Sequence, residues 1–182
     1  MVFADESGFS LLPAMPKTWA PRGQTPVLRH RMSWPKLSAI AAVAPNPHIW
    51  MRLVRGTVRS RQVVSFVRYL LRTYPGRIML FWDGLGAHRS RYTREALRKR
   101  GVRLSVHRLP AYAPELNPTE GVFAYLKHHH MRGYCPPEIG ALMRKVRQGV
   151  RAIRKRPDLI KSFFRRTPLS LEITSTYLRS CP

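Results

Sequence analysis

The chain has 182 residues, 44% of them hydrophobic and 10% aromatic, which excludes a disordered basic tail and allows one domain with a buried core. Thirty-three Lys and Arg stand against nine Asp and Glu, a formal net charge of +24. Such self-repulsion is tolerated where a polyanion neutralises it, and nucleic acid is the expected one; a membrane partner is not expected, because there is no lipidation motif or Trp-rich amphipathic anchor.

Along the chain, Val2 to Phe9 is a short apolar stretch broken by acids. Leu37 to Val43 and Ile49 to Val54 are strand-like runs joined by the turn signal Pro45-Asn46-Pro47. Val63, Phe66, Val67, Leu70, Leu71 and Tyr74 then recur at helical spacing up to Pro75-Gly76. Ile78 to Trp82 is a continuous apolar run, as expected of a strand covered on both faces. Ser90 can cap a very basic helix that stops at Gly101, after which Val102, Leu104 and Val106 alternate as a strand. In the last third, Ile139, Leu142, Met143, Val146, Val150 and Ile153 line one helix face. Arg144, Lys145, Arg147, Arg151 and Arg154 fill the rest, either as a solvated face or as DNA contacts. This order predicts an α/β fold, a mixed sheet with helices on its faces. Residues 1–169 are expected to form one domain and 170–182 a weakly ordered tail.

These runs are too short to span a bilayer, and no basic-then-apolar leader opens the chain. The two cysteines, Cys135 and Cys181, lack metal-ligand spacing, so a reducing, cytoplasmic setting is expected.

In a chain so short of carboxylates, their placement is informative. Asp5 sits inside Val2-Phe3-Ala4-Asp5, and Asp83 directly ends Ile78 to Trp82. Carboxylates seldom sit in or against buried strands unless they are paired or hold a cation. Strand carboxyl ends are also where ligands collect in α/β sheets. Glu120 has two readings. Asn117 suits an N-cap and Pro118 the first helical position, which puts Glu120 at the capping-box position. A helix N-terminus could equally present Glu120 to a site. Three such carboxylates suit hard divalent cations, and a pair of these can activate and stabilise oxygens in phosphoryl transfer.

Several segments resemble one family, the mariner superfamily of transposases, closest to its bacterial insertion-sequence branch. Phe3-Ala4-Asp5-Glu6-Ser7-Gly8-Phe9 resembles its first-aspartate strand. Trp19-Ala20-Pro21-Arg22-Gly23-Gln24-Thr25-Pro26 is similar to its W-x-x-x-G-x-x-P stretch. Phe81-Trp82-Asp83 with His88 is similar to its second-aspartate motif, and the segment from Leu109 to Glu120 to its signature ending on the third acid. The resemblance implies a ribonuclease H-like five-stranded sheet, three strands antiparallel and two parallel, flanked by helices. It implies Asp5, Asp83 and Glu120 as catalytic metal ligands for Mg²⁺, with Mn²⁺ as substitute and two ions in the site. It further implies cleavage at transposon ends, joining to target DNA, a homodimer on DNA and a location at the bacterial nucleoid. Relatives carry Asn after the second aspartate where this chain has Gly84. They also begin with a helix-turn-helix DNA-binding region, which is absent here. A catalytic half is therefore expected, with that module supplied separately.

Other side chains have weaker claims. In an extended strand Glu6 points away from Asp5, which suggests a surface or structural role. Glu115 is expected to be solvated. His128, His129 and His130 diverge on a helix and cannot share one ion without unwinding. His88, Lys127, Arg144, Arg147 and Arg151 are candidate DNA contacts, with capping or polar packing the alternative for His88. Trp19 and Trp34 are expected to pack or to touch DNA. Two other functions fit the same residues: a nuclease that cuts without joining, or an inactive element fragment that only binds DNA or another transposase.

Overall fold

A computed structural model describes residues 1–11, 21–24 and 35–169. Trp19, Trp34, half of the Trp19–Pro26 stretch and the tail 170–182 lie outside the described residues. The elements run β1 (Val2–Phe9), β2 (Leu37–Ala44), β3 (His48–Arg55), α1 (Ser60–Thr73), β4 (Ile78–Trp82), α2 (Gly86–Arg89), α3 (Arg91–Arg98), β5 (Leu104–Arg108), α4 (Pro118–Tyr125), α5 (Ile139–Arg154) and α6 (Pro157–Arg165). A 3₁₀ turn, Pro114–Leu116, precedes α4, and a π-helical turn, Leu126–His130, follows it.

The strands form one sheet in the order β3-β2-β1-β4-β5. β1, β2 and β3 pair antiparallel, while β4 and β5 join in parallel. This is the mixed sheet expected from strands followed by helix-linked strands.

Side chains alternate across it. Phe3, Ala39, Ala41, Val43 and Ile49 face one way and pack with Phe123, Leu142, Val146, Ile153 and Phe163 of α4, α5 and α6. Val2, Ala4, Ile40, Ala42 and Trp50 face the other way onto Val63, Phe66, Val67 and Leu70 of α1 and Leu97 of α3. The run of small residues in β2, with Ala39, Ala41, Ala42 and Ala44 all buried, lets helices approach both faces of the central sheet.

Two strand expectations need correction. Ile78, Leu80 and Trp82 are buried, but Met79 is exposed and Phe81 half-buried. The run is apolar throughout, yet only the α1–α3 face is fully covered. Val102 lies outside the last strand and is exposed. A turn closed by Arg103 N–H donating to the Arg100 carbonyl (3.0 Å) delays the strand to Leu104, and at this sheet edge Val106 is also exposed. Ser90 does cap α3, accepting from Thr93 N–H.

The start of α4 is tied to the first strand. The Asn117 side chain accepts from Thr119 N–H (3.1 Å) and donates to the Ala4 carbonyl (3.4 Å), while the Thr119 hydroxyl donates to the Phe3 carbonyl (2.9 Å). Asn117 and Thr119 are both buried, so these bonds carry the tie without help from water. Asn117→Ala is expected to cost about 1–2 kcal/mol in urea unfolding, the range of a lost N-cap, and to loosen α4 from β1.

Candidate active site

β1 and β4 run parallel, with Phe3 level with Phe81. Two residues further along both strands, Asp5 and Asp83 come level at the carboxyl end of β4. Glu120 follows the α4 tie by one residue. The three carboxylates line a single cleft of about 630 Å³, together with Gly84, Leu85, Arg89, Asn117 and the loop 109–114. Asp5 is buried at 7% exposure, whereas Glu120 is exposed and Asp83 lies between.

The capping-box reading of Glu120 is resolved by its neighbours. In a capping box its carboxylate would accept from Asn117 N–H. That N–H instead donates to the Pro114 carbonyl (3.0 Å). Asn117 performs the cap alone, and the Glu120 carboxylate is left to the cleft.

Electrostatically the cleft is a crowd of like charges. Burial pushes the Asp5 carboxyl up to about 8, helped by the charges of Glu120, Glu6 and Asp83 and opposed by the hydrogen bond from Glu6 N–H (2.8 Å). Among the described residues neither Asp5 nor Glu120 has an ion-pair partner. Converging carboxylates without a cation of their own, one of them buried, are a donor set that a hard divalent ion satisfies, so the residues fit such an ion.

Asp83 is held differently. Burial works against its charge, but the His88 ring and Leu85 N–H (3.1 Å to Oδ1) outweigh this and keep its carboxyl below the ordinary range. His88 Nδ1 lies 2.9 Å from Asp83 Oδ1, and Nε2 lies 2.8 Å from Glu6 Oε1. Burial would lower the His88 pKa, yet its bonds to Asp83 and Glu6 carry it to about 10. An imidazolium therefore bridges two carboxylates at neutral pH, with its ring stacked on Trp82 (4.1 Å, 2° between planes). The donor atoms of Glu6, Asp83 and His88 lie within 4.8 Å of one another. Both ring nitrogens already face carboxylate oxygens at hydrogen-bond distance, so this group is an ion-paired brace behind the cleft.

The brace decides between the readings left open for two residues. His88 is buried and fully engaged, which is the polar-packing alternative and not an exposed contact. Glu6 does point to the opposite face from Asp5, but that face is the interior beneath α2, not solvent. The four-residue helix α2 brings His88 back under the strand ends, a reversal that no periodicity announces. Leu85 N–H and His88 support Asp83, while Gly84 between them offers no side chain. His88→Ala would strand Glu6, whose Oε2 already has no hydrogen-bond partner among the described residues. It is expected to cost about 3–5 kcal/mol in urea unfolding, as for a broken buried ion pair.

The other basic candidates do not line the acid cleft. Lys127 lies over the Phe9 ring (5.9 Å), and Arg144 pairs with Glu138 (3.3 Å). Arg147 and Arg151 line a separate cleft of about 460 Å³ with Arg52 and Arg154, beside β3. The three consecutive histidines lie on the π-helical turn, where His129 and His130 both contact Tyr125. Two residues that do line the acid cleft, Arg89 and Tyr112, carried no sequence signal apart from the motifs around them.

Comparison with known proteins agrees with this arrangement. The family described as DDE superfamily endonuclease matches residues 1–138. Among solved structures, the mariner Mos1 paired end complex with Mg is similar at TM-score 0.70 and 18% identity, over 91% of this chain and 52% of that one. The Mos1 strand transfer complex is similar at TM-score 0.62 and 18% identity, over 89% and 54%. The catalytic domain of Mos1 mariner transposase is similar at TM-score 0.57 and 16% identity, over 90% and 80%. The chain thus spans about half the length of the transposase in the first two complexes. No curated protein matches it. At these identities the likeness shows the fold, which is the ribonuclease H-like fold of a transposase catalytic domain.

Proposed function

This chain belongs to the DDE superfamily endonuclease family, and on that premise we propose that it is a transposase catalytic domain that cuts DNA at transposon ends and joins them to target DNA. The observation that carries the reading is the convergence of Asp5, Asp83 and Glu120 on one cleft, with Asp5 pushed up to about 8 by burial and by the neighbouring carboxylates. In this reading the three hold Mg²⁺, or Mn²⁺ in its place, as two ions. When bound, such ions activate the attacking oxygen and stabilise the leaving one.

The chain's own residues do the rest. Asp5 gives up its proton to act as a ligand. Asp83 is already ionised and is aimed by His88 and Leu85 N–H. Glu120 reaches the cleft because Asn117 and Thr119 fasten its helix to β1. Arg89 and the surrounding net charge of +24 hold the DNA backbone. Related Mos1 structures are complexes with Mg and with Mn and with transposon ends, which supports metal and DNA as partners. A homodimer on DNA and a separately supplied helix-turn-helix half belong to the same proposal.

The test supplies the chain, alone and fused to a DNA-binding module, with end-containing duplex in Mg²⁺ or Mn²⁺. Nicked and joined products are expected. Nicks without joined products would indicate a nuclease, and no turnover in either metal would sink the reading.

A further inference from the structure

Tyr112 is held against the interest of the fold in two ways. Its backbone φ is 56°, in the left-handed region, and among the described residues it is the only non-glycine there. Bulky residues occupy that region at a cost, and such strain gathers at ligand sites. Its ring is also fully exposed, so no burial offsets the strain. Among the described residues no ring contact or hydrogen bond engages it.

Two prolines constrain the backbone of the loop around it. Pro110 and Pro114 fix their own φ and disfavour the helical region for Leu109 and Ala113 before them, and Ala113 is indeed non-helical. The turn therefore falls on Ala111 and Tyr112. Asn or Gly would make it more cheaply, so the fold does not explain a tyrosine at this position.

Tyr112 lines the cleft that holds Asp5, Asp83 and Glu120. Leu85, another exposed apolar side chain, and Arg89 line it too. An open aromatic face, an apolar contact and a guanidinium beside a phosphoryl-transfer centre match the three parts of a nucleotide: base, sugar and phosphate. We propose that Tyr112 is a stacking platform for the base of an unpaired nucleotide next to the scissile phosphate. The nucleotide must be unpaired because bases inside a duplex are covered on both faces by their neighbours. Stacking tolerates any base, so this contact positions the strand without reading sequence. The inference rests on the proposed action of this cleft on DNA.

The test titrates the full chain into a DNA duplex ending in a short 3′ single strand that carries 2-aminopurine, whose fluorescence is quenched by stacking. Wild type and Tyr112→Phe are expected to quench it. Tyr112→Asn should not, and should bind the single-stranded end about tenfold more weakly while binding blunt duplex equally well. Because Asn tolerates a positive φ, its Tm should be unchanged or raised. Wild-type quenching by Tyr112→Asn would overturn the proposal. So would a fall in Tm beyond about 3 °C, the mark of a structural residue, or a changed oligomeric state with quenching intact. Nicking by the wild-type chain with quenching unaltered in Tyr112→Asn removes the stacking role alone. Quenching that depends on Tyr112 in a chain that never nicks supports the stacking site and removes the enzymatic reading.

Discussion

Asp83→Ala is expected to lower Mg²⁺-dependent strand cleavage by at least about a thousandfold, the scale of losing one preorganised group at a charged transition state. Asp83 is the acid of the cleft that is kept ionised, because His88 and Leu85 N–H hold its charge. Its removal takes away a metal ligand and also leaves the His88–Glu6 pair without its outer partner. Cleavage of end-containing duplex, followed in single turnover, measures the first effect. Urea unfolding of the same variant separates it from the second. A variant that unfolds like wild type and still cuts at wild-type rate would remove Asp83 from the mechanism.

Asp5→Asn should also abolish cleavage, but its effect on stability runs the other way. In the fold the Asp5 carboxyl is pushed up to about 8, whereas its ordinary value is 3.8. The folded state therefore holds a proton that the unfolded chain releases, and folding weakens as pH rises from the lower value towards the higher. Asn carries no such penalty. In metal-free buffer Asp5→Asn is expected to raise Tm at pH 7 by more than about 3 °C, roughly 1 kcal/mol for a chain of this size. The gain should shrink to nothing below about pH 4, where Asp5 is protonated in both states. Mg²⁺ should raise the Tm of wild type and leave that of Asp5→Asn nearly unchanged, since a ligand stabilises only the state that binds it. Calorimetry across pH, with and without Mg²⁺, tests both statements. Equal Tm values at pH 7 would mean that the carboxylate crowding is relieved by some other route.

Much of this was legible in the chain itself. The change from strand runs to a helical period at Val63 sets the mixed sheet, because alternation and helical spacing each bury only one geometry of side chains. The isolation of Asp5 and Asp83 in or against apolar strands marked them before any fold was known, since a buried carboxylate demands a partner. The cap at Asn117 was legible too, but whether Glu120 completed it was not. That depended on whether Pro114 or Glu120 would take the Asn117 N–H, a competition between neighbours in space.

The sequence by itself determined the element order, the two aspartates and the basic surface, because these follow from local periodicity and from the cost of burying charge. The tertiary structure alone decided what stands behind and beside the acids. Glu6 and His88 are 82 positions apart and meet only because β1 lies beside β4 and the short α2 turns back beneath them. Tyr112 comes to line the acid cleft only because its loop lies beside the ends of β1 and β4 and the start of α4. Pairings of this kind are set by sheet register and chain reversal, which the hydrophobic pattern of a single segment does not encode.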